Sequence, residues 1–190
     1  MDVAVNLQAV IVPLFIVLSC ALAWLCRRQL LNPGCHGFYR FFAFEGILWL
    51  FLNALRLWHH NITSLPQLLS LLMMLSALGL LIGGVYGLRR YGGASSLRQA
   101  EENFSFENTS TLVTQGIYAF IRHPMYSSLL LLNWGLVLKR PALDAIVVAL
   151  LVSLALYLTA RTEEQENCDF FGVSYRDYLQ RSKMFLPYLW

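Results

Sequence analysis

Apolar residues fall in five runs separated by charged or polar loops. Residues 9–26 carry no charge, and 65–88 form a second uncharged run of 24 residues. Residues 38–58 are apolar and aromatic, interrupted only by Arg40, Glu45 and Arg56. Two shorter runs, 125–138 and 145–160, are joined by Lys139-Arg140-Pro141. A helix crossing the hydrocarbon core, about 30 Å thick, needs about 20 apolar residues. The pattern therefore predicts an all-α integral membrane protein with about five transmembrane helices. The last two form a short helical hairpin whose first arm, at 14 residues, falls short of a full crossing. The first run has no basic stretch before it and no small-residue cleavage site after it, so it reads as an uncleaved span.

Composition supports the same class. Of the 190 residues, 57% are hydrophobic and 13% charged, about half the roughly 25% charge usual in soluble domains. Disorder, collagen and coiled coil are excluded by the same figures. The net charge of +3 is too small and too dispersed for a nucleic-acid partner. Cys20, Cys26, Cys35 and Cys168 have neither zinc-ligand nor redox spacing, so no metal is expected. The chain reads as one domain over 1–190: three N-terminal spans in 1–88, then 89–190 with the hairpin at 124–160. Of 14 Lys and Arg, only Arg56, Lys139 and Arg140 fall on one side of the predicted membrane, against 11 on the other. By the positive-inside rule the richer side is cytoplasmic, with the N-terminus outside and the C-terminus inside. That places the chain in the inner membrane of a bacterium or the endoplasmic reticulum of a eukaryote. Gly79, Gly83 and Gly87 recur at four-residue spacing and predict close helix packing within the chain.

Polarity gathers in two stretches on the cytoplasmic side, 89–124 and 161–190, which flank the hairpin. Proline is favoured at the first helical position, so Pro124 predicts a helix start. Its free N–H groups and dipole suit an anion. Arg122 and His123 sit at the same end and could hold a carboxylate or phosphate; alternatively, Arg122 snorkels to lipid headgroups and His123 caps a loop. Glu163 and Glu164 follow the last span. One of them facing a pocket would accept hydrogen bonds from ligand hydroxyls or stabilise a cation; otherwise both belong to a solvated face. Glu45 lies at membrane depth, where ionisable groups are costly. It either pairs with Arg40 or lines a substrate cavity. Asn53 and Asn133 are expected to bond between helices.

These residues form an ordered set that resembles a known family. Thr111-Leu112-Val113-Thr114-Gln115-Gly116-Ile117-Tyr118, then Arg122-His123-Pro124-Met125-Tyr126, look like the signature of the isoprenylcysteine carboxyl methyltransferase family. Related phospholipid N-methyltransferases share the Arg-His-Pro-x-Tyr element. Glu163-Glu164 is followed at fitting spacing by Phe171-Gly172, Tyr175, Tyr178 and Pro187, and Asn103-Phe104-Ser105 resembles the start of the family's connecting segment. The match covers roughly 103–187.

The resemblance implies S-adenosyl-L-methionine as methyl donor, bound in a cytoplasm-facing pocket. Leu112, Val113, Gly116 and Tyr118 would line the adenosine side. His123, Pro124 and Tyr126 would meet the methionine end, with Glu163 as the cofactor-contacting glutamate. Arg122, His123, Glu163 and Glu164 are the implied catalytic group. Eukaryotic prenylcysteine enzymes place a substrate-binding arginine four residues before that glutamate. Here Thr159 stands there and Arg161 two residues on, so Arg161 and Glu45 are the candidate substrate contacts. Gly116-Ile117 replaces a frequent Gly-Pro, and Ser128 a frequent glycine. The expected acceptor is lipophilic and membrane-embedded, with isoprenylcysteine-like carboxyl methylation first and phospholipid amine methylation as the alternative. A nicotinamide-dependent membrane reductase is disfavoured by the short chain and by Pro124, where such enzymes have asparagine. A non-enzymatic membrane scaffold is disfavoured by retention of both motif halves.

Overall fold

A computed structural model describes residues 2–93 and 109–187, with side chains from residue 9 onward. The Asn103-Phe104-Ser105 segment lies outside the described residues. Within them the architecture is all-helical: α1 (Asp2–Leu25), α2 (Arg27–Leu30), α3 (His36–Ala54), α4 (Leu65–Tyr91), α5 (Pro124–Lys139), α6 (Leu143–Phe171) and α7 (Val173–Arg181). Two short 3-10 turns, Leu55–Leu57 and Gly116–Ala119, complete the elements.

Among the described residues, three segments are long and apolar enough to cross a membrane: His36–Leu57, Leu65–Tyr91 and Leu143–Phe171. Ala9–Leu25 is apolar but shorter. α5 has 16 residues, so it rises only about 24 Å, less than the roughly 30 Å hydrocarbon core. The second arm departs from expectation. α6 does not stop near residue 160 but runs 29 residues to Phe171. Its last eleven residues are mostly polar yet contain neither glycine nor proline. Hydropathy falls there because the helix leaves the apolar zone, not because it ends. Glu163 and Glu164 consequently lie two turns inside α6 rather than at its terminus. Gly172, at φ 61° and ψ −130°, supplies the left-handed turn that stops α6 and starts α7.

Two antiparallel contacts dominate, α4 against α5 and α3 against α6. Ala43, Ile47 and Leu50 of α3 pack with Ala145, Ala149, Val152 and Leu156 of α6, and Leu136 and Val137 of α5 join the same core. Gly46 permits the α3–α6 approach, since a Cβ there would stand 2.3 Å from Val152 Cγ2. Polar side chains tie the helices at depth. Ser70 Oγ donates to the Gly135 carbonyl (2.7 Å), Asn133 to the Ala149 carbonyl (3.0 Å), and Lys139 Nζ to Gln67 Oε1 (2.7 Å). Asn53 instead donates within its own helix, to the Trp49 carbonyl. The close-packing glycines of α4 are Gly84 and Gly87, which meet Met125, Pro124 and Tyr118; Gly83 touches Ile117, and Gly79 faces open space. The expected four-residue row is used at its lower end only.

Candidate functional site

Pro124 opens α5, as its sequence position predicts, with His123 as the preceding cap. What fixes this helix start is a short backbone pairing with the C-terminal segment. Lys183 N donates to Phe120 O (3.1 Å), Arg122 N to Lys183 O (2.8 Å) and His123 N to Met184 O (3.2 Å). Ser127 Oγ adds a bond to the Phe185 carbonyl at 2.8 Å. The strip 120–123 is thus held against 183–185, and Ile121 between them is 1% exposed.

Arg122 extends this clamp. Its Nε donates to Glu164 Oε1 at 2.7 Å, and its Nη1 donates to the carbonyls of Leu179 and Ser182. His123 is buried and stacks on Tyr126, ring centroids 5.4 Å apart. Its Nδ1 lies 3.7 Å from Glu163 Oε2 and its Nε2 3.4 Å from Glu164 Oε1. Neither contact is a formed hydrogen bond, and Nε2 is a buried polar atom lacking one. Glu163 remains partly open, its side chain 27% exposed against 8% for Glu164.

These residues face a cavity with about 600 Å³ of empty space, its open mouth included. Leu112, Val113, Tyr118, Arg122, His123, Pro124, Tyr126 and Glu163 all line it. Two motif stretches some 40 residues apart in sequence therefore meet as one wall. Tyr118 is anchored from both ends: its hydroxyl donates to Gly84 O (3.3 Å), and its carbonyl accepts from the Tyr178 hydroxyl (2.6 Å). Burial pushes the Tyr175 phenol well above its usual range, with the Glu163 charge adding to the effect. Burial does the same to Tyr178.

Other sequence candidates stand elsewhere. Glu164 is behind the wall, bonded to Arg122. Gly116 is exposed, at φ 63°, where it begins the 3-10 turn that carries Tyr118. Arg161 is exposed and off the cavity lining; two residues along a helix from Glu163 is about 200° around it. Glu45 does not reach the cavity. Its Oε2 accepts from Ser19 Oγ of α1 at 2.6 Å, and its Oε1 is buried without a hydrogen bond. Sequence reasoning passed over Asn167, Leu88, Thr109 and Met125, which also line the cavity. Asn167 carried a signal, since it stands four residues after Glu163, on the same helical face.

The profile of the phospholipid methyltransferase family matches residues 67–172, more than half of the sequence. The chain belongs to the phospholipid methyltransferase family. The matched stretch runs from α4 to the glycine that ends α6, and so contains most of the cavity wall. The chain is also similar to protein-S-isoprenylcysteine O-methyltransferase of Schizosaccharomyces pombe, 37% identical over 122 residues, covering 59% of this chain and 48% of that one. The enzyme of the same name from Mus musculus is 38% identical over 86 residues, covering 43% and 29%. Methanethiol S-methyltransferase 1 of Bradyrhizobium diazoefficiens is 30% identical over 74 residues, covering 38% and 25%. The chain spans about half or less of the length of these relatives. No solved structure matches it.

Proposed function

We propose that the chain is an S-adenosyl-L-methionine-dependent methyltransferase acting on a lipophilic, membrane-embedded acceptor, with carboxyl methylation of an isoprenylcysteine-like compound as the first assignment. The observation that carries this reading is the cavity itself. It brings the α5 N-terminus, a buried imidazole and a partly open carboxylate to one face, beside apolar and aromatic walls.

Those residues fit the methyl donor. The α5 N-terminus suits a carboxylate. Glu163 can accept from hydroxyls or face an ammonium, and His123 Nε2 has hydrogen-bonding capacity to spare. Leu112, Val113, Tyr118 and Tyr126 supply the apolar contacts. When bound, the donor supplies a methyl group already activated on a sulfonium. The protein therefore needs to align and desolvate more than to activate. In our assignment Arg122 and Glu164 hold the wall, while His123 and Glu163 meet the ligand. For a carboxylate acceptor no base is required. For an amine, Glu163 or His123 can take the proton.

The lipophilic character of the acceptor is supported by a second cavity. It holds about 1460 Å³, mouth included, and is lined almost wholly by apolar side chains, among them Met73, Leu80, Leu130, Trp134 and Tyr157. Ser127 and Phe185 line it from the back of the clamp that bears His123. An acceptor would enter there from the bilayer. The orientation that fits has the first cavity cytoplasmic, five membrane helices and the N-terminus outside. Phospholipid amine methylation stays as a second reading, favoured by the family profile.

The experiment is a two-part assay on purified full-length chain. Calorimetry with S-adenosylhomocysteine should show micromolar binding. Labelled donor with prenylcysteine should then give a base-labile product that releases methanol, whereas methylated phosphatidylethanolamine keeps its label on nitrogen in base and releases none. Absence of binding by folded protein overturns the assignment.

A further inference from the structure

We propose that the outer face of the last turns of α4 is a binding site for an anionic phospholipid. Leu81, Ile82, Val85, Tyr86, Arg89 and Arg90 line a shallow groove there of about 890 Å³, mouth included. Ile82 is 60% and Tyr86 62% exposed, and both arginines are exposed. The lower groove is apolar and suits an acyl chain. Tyr86 stands one turn below the arginines, where an amphipathic ring marks the membrane–water boundary.

The two guanidinium groups decide the class of lipid. Arg27 stands 4.8 Å over the Trp24 ring, Arg122 bonds Glu164, and Arg140 bonds Asp144. Arg89 and Arg90 have no carboxylate partner among the described residues. Guanidinium groups match phosphate with paired donors and are held near negative lipid surfaces. A zwitterionic headgroup would bring an ammonium as well, and among the described residues no acidic side chain lines the groove to receive it. A headgroup of net negative charge meets no such mismatch.

The site has a structural consequence that is independent of methyl transfer. The same turns of α4 present Leu88 to the first cavity and press Gly84 and Gly87 against Pro124 and Tyr118. The lipid would therefore sit on the back of the cavity wall.

The test is native mass spectrometry of the full chain released from mixed phosphatidylglycerol and phosphatidylcholine nanodiscs. Wild type should retain phosphatidylglycerol over phosphatidylcholine by about tenfold. R89Q/R90Q should lose that preference, and R27Q/R28Q, a basic pair elsewhere, should keep it. Equal retention of the two lipids by wild type overturns the proposal. So does a preference that survives R89Q/R90Q, or one that falls equally in both double variants. Should R89Q/R90Q not fold, a photoactivatable phosphatidylglycerol on wild type decides: crosslinks in the peptide bearing residues 81–90 support the site, and crosslinks only elsewhere refute it.

Discussion

Arg122 donates through Nε to Glu164 Oε1 across 2.7 Å, with the two side chains only 10% and 8% exposed. The adjacent Glu163 receives no such bond; the His123 ring stands 3.7 Å from it. Two neighbouring carboxylates thus have divided duties. One is consumed in fixing the C-terminal segment to the start of α5, and the other is left facing the cavity.

Breaking the buried pair should therefore cost stability rather than ligand contacts. Arg122→Met takes the guanidinium partner away from the buried Glu164, which typically costs about 3–5 kcal/mol. The double change Arg122→Met/Glu164→Leu should recover much of that, because no lone charge remains. Denaturation of the four proteins in one detergent measures the coupling. A double variant as unstable as the sum of the singles would show that the pair is not the anchor.

Glu163→Gln should behave in the opposite way. With no hydrogen bond from a neighbouring side chain among the described residues, its loss should shift the melting temperature little. Affinity for S-adenosylhomocysteine should fall at least about tenfold, the scale for losing one charged hydrogen bond. His123→Ala should weaken binding likewise. Calorimetry and a melting curve on the same preparation separate the two effects.

The site was more legible than the bundle. Pro124 announced a helix start because its chemistry is local, and the motif residues lay in order along the chain. The end of α6 was misread because falling hydropathy marks the water boundary, whereas a helix ends only where its backbone must, here at Gly172. The close α3–α6 approach at Gly46 left no trace in sequence, since a lone glycine does not name its partner. Arg122 was readable as a cation near the site. That its donors are taken by Glu164 and two carbonyls depends on where residues 179–182 fold, which no local pattern encodes.

The glycines allow a paired test. Gly46→Ala puts a methyl into Val152, which cannot retreat from a packed helix face, and should destabilise by about 1–3 kcal/mol. Gly79→Ala meets nothing within 4 Å and should be neutral or stabilising by up to about 1 kcal/mol through helix propensity. Thermal melts in one detergent compare them. Equal losses would contradict the packing described.

Alkaline pH should weaken the C-terminal lock. In the unfolded chain Tyr175 and Tyr178 ionise at about pH 10, but burial raises both in the folded state. Above pH 10 the unfolded form binds fewer protons than the folded form, so stability must fall as pH rises. Below about pH 9 the pair contributes no slope. Tyr175→Phe and Tyr178→Phe should each flatten the decline, and phenolate absorbance should lag behind that of the exposed tyrosines until unfolding.

Glu166 offers the last prediction. It lies two residues beyond Glu164, hence on the opposite side of α6. Its Oε1 accepts from the His36 backbone N–H at 2.9 Å, and its Oε2 contacts His36 Nδ1 at 2.7 Å. His36 begins α3 and is 1% exposed, so this carboxylate caps a helix N-terminus, where negative charge is favoured. α6 is gripped on one side by Arg122 and on the other by His36, at the level where Glu163 and Asn167 enter the cavity. A rotation that would swing those two away is opposed from both sides. Glu166→Leu removes one grip and should weaken S-adenosylhomocysteine binding several-fold, while Glu166→Gln, which keeps an acceptor for the backbone N–H, should stay near wild type. Lys139→Met serves as the control, because it breaks the bond to Gln67 at the far end of α5. It should lower the melting temperature as Glu166→Leu does and leave affinity intact. If Glu166→Leu also melts early but binds normally, the pair stabilises the bundle without positioning the site.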